Sequence, residues 1–113
     1  MRYMCLWRPA RHNDPGKTNF AEMMKFIEET TKSGQLVSTG GWMPDAPGAT
    51  IRSEGGKLTV TDGPYTEAKE MIGGYAILEV RSKDEAIELA RRFVRIAGDG
   101  ISELRELGAP PPK

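Results

Sequence analysis

The sequence has few of the residues that build disulfides, metal centres or nucleotide-binding loops. Its 113 residues include one cysteine, Cys5, and one histidine, His12. A single cysteine excludes an internal disulfide and fits a reducing compartment. One cysteine and one histidine cannot complete a structural zinc site, and the paired glycines do not have the spacing of phosphate-binding loops. We therefore expect no bound metal and no cofactor.

An excess of charge of either sign is also lacking. Sixteen basic residues balance sixteen acidic ones, and no like-charge run favours nucleic acid or an anionic membrane surface as a partner. The apolar start of the chain ends at Arg8, well short of a signal peptide or a membrane span. We expect a cytoplasmic protein with one domain over residues 1–108 and a proline-rich tail over residues 109–113.

Two helices are predicted from capping signals. Asn19 is followed three positions later by Glu22, and Ser82 by Glu85, which is the spacing of a capping box. The first pattern predicts a helix over residues 20–32, and the second predicts a helix after Ser82. The residues expected to face inward are Phe20, Met23, Met24 and Ile27 in the first helix and Ile87, Ala90, Phe93, Val94 and Ala97 in the second.

The remaining apolar patterns are typical of strands. Strands are predicted over residues 2–7, 36–42 and 75–80, and a hairpin is predicted with strands over residues 50–52 and 57–61. Residues 101–107 are ambiguous, because their apolar positions are three apart, as in a helix. The segment is short and would complete a second strand–helix–strand unit, so we interpret it as a strand.

This order of elements predicts an α+β protein with the ferredoxin-like split βαβ fold and an inserted hairpin. Right-handed crossovers place both helices on one face of an antiparallel sheet. The first strand is apolar on both faces, with Tyr3, Cys5 and Trp7 on one and Met4 and Leu6 on the other. Since one of these faces has no helix to cover it, we expect a homodimer formed face to face.

The most distinctive stretch is residues 59–67, where the strand pattern stops at Asp62. Gly63 and Pro64 cannot continue a strand, so the chain must turn there. Asp62 then has two interpretations. In an apolar cleft, desolvation would raise the pKa of its carboxyl and allow proton exchange near neutrality. As a cap that accepts hydrogen bonds from the amides of the turn, it would have a lowered pKa instead.

Several stretches together resemble the DGPF branch of the YCII-related family. The resemblance is carried by residues 60–67, Lys69-Glu70, Gly73-Gly74-Tyr75 and residues 83–86, and it extends over nearly the whole chain. Tyr65 stands where the namesake phenylalanine usually sits, which keeps an aromatic ring at that position.

The resemblance implies a dimeric α+β barrel in which two sheets pack face to face, with a cleft near the dimer interface. The broader family is similar to muconolactone-isomerase-type and dehydrochlorinase-type proteins, in which a histidine–aspartate pair is the suspected catalytic unit. The helix over residues 20–32, where the YCII branch has its histidine, contains none. The resemblance also suggests a sigma factor as a partner.

Five further residues are candidates for a site that binds a small molecule. His12 has the intrinsic pKa for acid–base catalysis, although a polar loop of this kind is also typical of solvated surface. Trp42 and Tyr65 would line a pocket, Thr66 would support Asp62 from the turn, and Arg52 would hold an anionic substrate. Packing, an exposed helical turn and surface charge are the alternatives for these four.

Three functions from different classes fit these patterns. The first is a small enzyme with Asp62 as its acid–base group, acting on a small cyclic or aromatic molecule. The second is a module that binds a metabolite in the same cleft without catalysis. The third is an interaction partner, for instance of a sigma factor.

Overall fold

The computed structural model describes residues 1–41, 48–62 and 73–108. Over these ranges the protein is an α+β domain, as the sequence predicts. The elements in chain order are β1 (Arg2–Pro9), a single 3₁₀ turn (Pro15–Lys17), α1 (Phe20–Lys32), β2 (Leu36–Gly41), β3 (Ala49–Glu54), β4 (Lys57–Asp62), β5 (Gly74–Glu79), α2 (Lys83–Ala97) and β6 (Gly100–Glu106). The ambiguous segment near the end of the described chain is therefore a strand.

Four of the strands form one antiparallel sheet in the order β2-β5-β1-β6. This is the strand order of the split βαβ arrangement, in which the first and third strands of the motif are central. β1 pairs with β5 on one side and with β6 on the other. Long-range pairing therefore holds the two ends of the described chain together through this central strand.

Both helices begin where the capping signals predict. The Asn19 side chain accepts a hydrogen bond from the backbone N–H of Glu22 at 3.0 Å, and the Ser82 hydroxyl accepts one from the N–H of Glu85 at 3.1 Å. These bonds satisfy amides that the first helical turn leaves without an intrahelical partner. Among the described residues, neither helix is long and apolar enough to cross a membrane.

The inward stripe predicted for α1 is wrong at two positions. Phe20 is 74% exposed and Met24 is 47% exposed, whereas Phe26 is half-buried and Thr30 is buried. Residues 23, 26, 27 and 30 form the face that packs on the sheet, at the i, i+3, i+4, i+7 spacing of one helix side. The predicted stripe starts at the first apolar residue of the helix, Phe20. The side of α1 that meets the sheet starts instead at Met23 and continues to Thr30.

The core lies between α2 and the central strands. The buried residues that pack together are Tyr3, Leu78, Val80, Ala86 and Leu89. The stripe predicted for α2 did not include Ala86 and Leu89. The positions that it did include are all buried or half-buried: Ile87, Ala90, Phe93, Val94 and Ala97. Small and branched side chains at the helix–sheet contact let the helix approach the strands closely.

The two faces of β1 differ as the alternation predicts. Tyr3 and Cys5 lie on the helix-covered face and are 5% and 7% exposed. Strand register places Met4, Leu6, Ile77 and Ile101 on the opposite face, which we call the open face. In the described part of the chain, neither helix packs on this face.

The predicted hairpin is present but lies outside the larger sheet. β3 and β4 pair only with each other among the described residues. Gly55 and Gly56 connect them with φ angles of 56° and 82°, the positive values that a two-residue hairpin turn requires and glycine adopts at no steric cost.

Candidate functional site

An apolar cavity of about 320 Å³ lies between the helices and the covered face of the sheet. Its volume is near the lower end of the range that small-molecule sites occupy. The sheet contributes Cys5, Trp7, Ala76 and Leu78 to its wall. α1 contributes Met23, Phe26, Ile27 and Thr30, and α2 contributes Leu89, Ala90 and Phe93. The cavity has room for a small organic ring.

Two aromatic rings meet in the wall of the cavity. The Trp7 and Phe93 ring centroids are 5.2 Å apart and the ring planes are inclined by 85°, which is an edge-to-face contact. This arrangement places the positive edge of one ring against the negative face of the other. Because Trp7 belongs to the central strand and Phe93 to α2, the contact fixes the helix against the sheet beside the cavity.

The wall beside β2 and β5 consists largely of backbone. Gly41 and Gly74 are paired across the two strands, and Gly40 and Gly73 also line the cavity. A Cβ atom at Gly74 would lie 2.9 Å from the carbonyl oxygen of Gly40, so a larger residue there would force the strands apart. Glycine here keeps the wall flat and close to the strand backbone.

The Cys5 thiol is the polar group on the floor of the cavity. Its sulfur lies 2.8 Å from the hydroxyl oxygen of Ser102. Burial raises the pKa of the Cys5 thiol above its ordinary value, and the hydrogen bond with Ser102 offsets part of that shift. Cys5 is therefore protonated near neutral pH and is a poor nucleophile.

Two threonine hydroxyls in the wall are already bonded within the protein. Thr30 Oγ1 donates to the carbonyl oxygen of Phe26 at 2.8 Å, and Thr39 Oγ1 donates to that of Tyr75 at 2.9 Å. Among the described residues that line the cavity, none has a carboxylate, an imidazole, an amine or a guanidinium. These side chains can bind and orient an apolar ring, and a carboxylate or imidazole must come from elsewhere; the phenol of Tyr75 is the other titratable group in the described lining beside Cys5.

His12 lies away from the described cavity wall and pairs with Asp99. The two side chains are 2.7 Å apart at their closest nitrogen and oxygen, and they are 73% and 77% exposed. The Asn13 amide donates to the carbonyl oxygens of Ala97, the last residue of α2, and of Asp99, at 3.1 and 2.7 Å. These contacts join the loop after β1 to the connection between α2 and β6.

The sequence did not reveal Asp99 as the partner of His12. The two residues are 87 positions apart, and no local pattern relates them. The position of Asp99 between Gly98 and Gly100 marks it as an exposed turn residue after a predicted helix, which could have named Asp99 as a candidate but not His12 as its partner. Phe93 was expected only as a core residue, and its contact with Trp7 was not predicted.

The other predicted site residues are not brought together among the described residues. Arg52 lies on β3 with its side chain 69% exposed, 3.7 Å from Glu54. Asp62 ends β4 and is paired through its backbone register with Ala49, but its side chain is outside the described part of the protein. Trp42, Tyr65 and Thr66 also lie outside the described residues.

The cavity and the expected cleft lie on different sides of the sheet. The resemblance implies a cleft near a dimer interface, which the open face would form. The cavity lies instead on the helix-covered side. A cleft at the dimer interface remains a prediction, and the cavity is the candidate site that the described residues form.

Comparison with known proteins relates the whole fold to a described family. The model of the YCII-related domain matches residues 1–107. An uncharacterized protein of Rhizobium meliloti (strain 1021) is 34% identical over 71 residues, a stretch that includes 63% of this chain and 54% of that protein. The matched stretch is thus about half the length of this curated relative.

A solved structure has a similar fold. It is 5-chloro-2-hydroxyhydroquinone dehydrochlorinase from Burkholderia phenoliruptrix AC1100, in complex with 2,5-dihydroxybenzoquinone. The TM-score is 0.53, the sequence identity is 18%, and the match covers 96% of each chain. At 18% identity this likeness shows a shared fold alone.

Proposed function

Because the chain belongs to the YCII-related domain family, we propose that it binds a small cyclic or aromatic molecule and acts on it as an acid–base enzyme. The observation that carries the proposal is the apolar cavity with the Trp7–Phe93 pair in its wall. An aromatic ring would bury its faces there, and the flat glycine wall would accept a planar group. The structurally similar dehydrochlorinase, which holds a dihydroxylated six-membered quinone, supports a ligand of this size.

The proton transfer is assigned to Asp62 in this proposal. The residue belongs to the stretch that carries the family resemblance, and β4 ends at it. A carboxyl group at a strand end beside an apolar ring would lose hydration, which favours its protonated form and moves its pKa toward neutrality. In that state it exchanges a proton with a bound hydroxyl or ring carbon.

The binding part of the proposal is tested with 2,5-dihydroxybenzoquinone as the probe, using titration calorimetry and tryptophan fluorescence. The variant Ala76→Leu adds a larger side chain on the floor of the cavity, and we expect it to weaken binding at least tenfold. Ala21→Leu makes the same change at an exposed position of α1 and is the matched control. Equal binding by both variants, with unchanged circular dichroism, would place the probe outside the cavity.

The catalytic part is tested by chloride release from 5-chloro-2-hydroxyhydroquinone. We expect Asp62→Asn to lower kcat by about 10²–10⁴-fold, the range typical of a lost acid–base group, while the probe still binds. Full turnover by this variant would remove Asp62 from the mechanism. His12→Ala tests the second candidate, and Asp99→Asn tests whether the paired carboxylate acts through it.

A non-catalytic binding protein is the alternative function. It is favoured by the absence of a carboxylate or an imidazole among the described residues of the cavity wall. Binding of the probe without turnover of any related phenol or quinone, in wild type and Asp62→Asn alike, would support this alternative. A sigma factor as partner stays a prediction from the family resemblance.

We also propose that the protein is a homodimer whose open faces pack together. Ile101 on this face is 65% exposed, and Met4, Leu6 and Ile77 are half-buried by their own neighbours. Ion pairs rim the apolar centre, with Arg2 3.0 Å from Glu79 at one corner. Sedimentation equilibrium at micromolar concentration is expected to give twice the chain mass, and a monomeric mass contradicts the proposal.

A further inference from the structure

The β3–β4 hairpin, which we call the arm, has one apolar and one polar face. Ile51 lies directly opposite Val60, and Ser53 lies opposite Leu58. Alternation along each strand places Ile51, Leu58 and Val60 on the same side, the arm face. These three side chains are 66–68% exposed, whereas isoleucine, leucine and valine are among the residue types most often buried in folded proteins.

The rest of the described chain gives the arm little support. β3 and β4 form a two-stranded sheet of their own and pack extensively only against each other. The radius of gyration is 16.3 Å, against about 13 Å for a compact domain of this length. An isolated hairpin is marginally stable in water and needs a further strand or packing against another surface. The arm therefore requires an occupant for its apolar face.

The area of the open face favours a second copy of this chain as the group that covers the arm. Four strands about 4.8 Å apart and six residues long give a footprint of about 400 Å². A stable interface buries roughly 800 Å² per partner, so pairing of the open faces alone supplies about half of that area. The two strands of the arm add a footprint of about 200 Å² on each face, and the arm face is the apolar one.

The distribution of charge also fits a second copy of the same chain. The net charge is zero, so no field selects an acidic or a basic partner. The polar face of the arm has Arg52 and Lys57, and its tip has Glu54. The rim of the open face likewise has both signs, with Glu103 3.1 Å from Arg105. In a two-fold dimer each chain would supply one arm and accept the other, which closes the assembly.

We propose that the arm face packs against a second copy of this chain and extends the contact between the two open faces. The inference rests on the homodimer proposed above. Ile51, Leu58 and Val60 are then interface residues, and the hairpin reaches its full stability only in the dimer.

The proposal is tested by sedimentation equilibrium of a cross-strand double variant. Ile51→Ser with Val60→Ser removes one apolar pair from the arm face, and we expect the dimer dissociation constant to rise at least tenfold. The matched control is Thr50→Ser with Thr61→Ser, which changes the directly paired residues of the polar face. This control is expected to stay within about twofold of wild type, since exposed polar substitutions have small effects.

The possible results separate the arm from the dimer itself. A monomeric wild type overturns both proposals. A dimeric wild type whose dissociation constant is the same in the arm variant overturns the arm proposal and leaves the pairing of open faces intact. Circular dichroism of each variant shows whether the larger sheet and the helices remain folded.

A second measurement does not depend on the stability of the double variant. Val60→Cys is labelled with a benzophenone maleimide, while the buried Cys5 thiol stays unreactive. Mixed isotope-labelled and unlabelled chains are then irradiated and digested. We expect cross-links between a labelled and an unlabelled chain. Cross-links confined to one chain show that the arm folds back on its own subunit, and they overturn the proposal.

Discussion

The larger sheet and the arm are both antiparallel and both have apolar side chains on at least one face, yet they differ in what covers those side chains. In the sheet, Leu78 of β5 is 6% exposed because two helices pack over it. In the arm, Leu58 is 68% exposed. The comparison shows that an alternating pattern predicts a strand with an apolar face, and that it contains no information about the partner of that face.

The largest expected difference is between leucine truncations in the two regions. Leu78→Ala removes a buried side chain beside an existing cavity, and we expect the free energy of unfolding to fall by about 2–5 kcal/mol. Leu58→Ala is expected to change it by less than about 0.5 kcal/mol when the protein is dilute and monomeric. Urea unfolding followed by circular dichroism measures both. Equal losses in dilute protein would mean that the arm is already packed on its own chain.

An intermediate effect is expected from the helix caps, which the arm lacks. Asn19→Ala removes the side-chain acceptor for the N–H of Glu22, and we expect a loss of about 1 kcal/mol. Ser53→Ala in the arm is the control, since this exposed serine is not at a helix end. Thermal unfolding of the two variants at the same low concentration gives the comparison. A loss as large in Ser53→Ala would show that the arm is more strongly ordered than its exposure indicates.

The smallest effect is expected from Glu85 on α2, whose carboxylate accepts a hydrogen bond from Gln35, the residue before β2. Hydrogen bonds from the Gln35 amide and from the Arg81 backbone N–H lower the pKa of the Glu85 carboxyl. A lowered folded-state pKa adds stability above the ordinary carboxyl pKa, and this stability is lost as the pH falls through the folded value. We therefore expect wild type to exceed Glu85→Gln in stability above about pH 5, with the difference shrinking in more acidic buffer.

The control for this pH dependence is Gln35→Ala, which removes the largest cause of the lowered pKa. It is expected to reduce the slope of stability against pH between about pH 3 and 5. Thermal unfolding over that range measures the slope for all three proteins. A slope that is unchanged in both variants would show that other carboxyl groups account for the acid sensitivity.

The sequence predicted the elements well because their signals are local. Asn19 and Ser82 each bond an amide three residues away, and Gly55 and Gly56 adopt turn angles that their own backbone permits. The stripe of α1 was predicted less well, because Phe20 and Met24 are apolar but lie off the line where the helix meets the sheet. Which side of a helix packs depends on the direction of its approach.

The cavity wall and the His12–Asp99 pair were predicted only in part, for a related reason. His12 was identified as a titratable residue, but its partner Asp99 is 87 positions away. Trp7 was expected in an apolar strand, and its contact with Phe93 depends on how α2 crosses that strand. A residue type indicates what chemistry is available. The neighbours that the fold brings to it decide whether that chemistry is used.

The sequence by itself determined the order of strands and helices, the two capped helix starts, the glycine turn of the arm and the two apolar faces of β1. Only the tertiary structure decided the register of the strands, the separation of the arm from the larger sheet and the position of the cavity. The physical reason is how far apart in the sequence the interacting residues are. Caps and turns use hydrogen bonds over three or four residues, whereas β1 pairs with residues at least 67 positions away, and the cavity is the space left between elements so assembled.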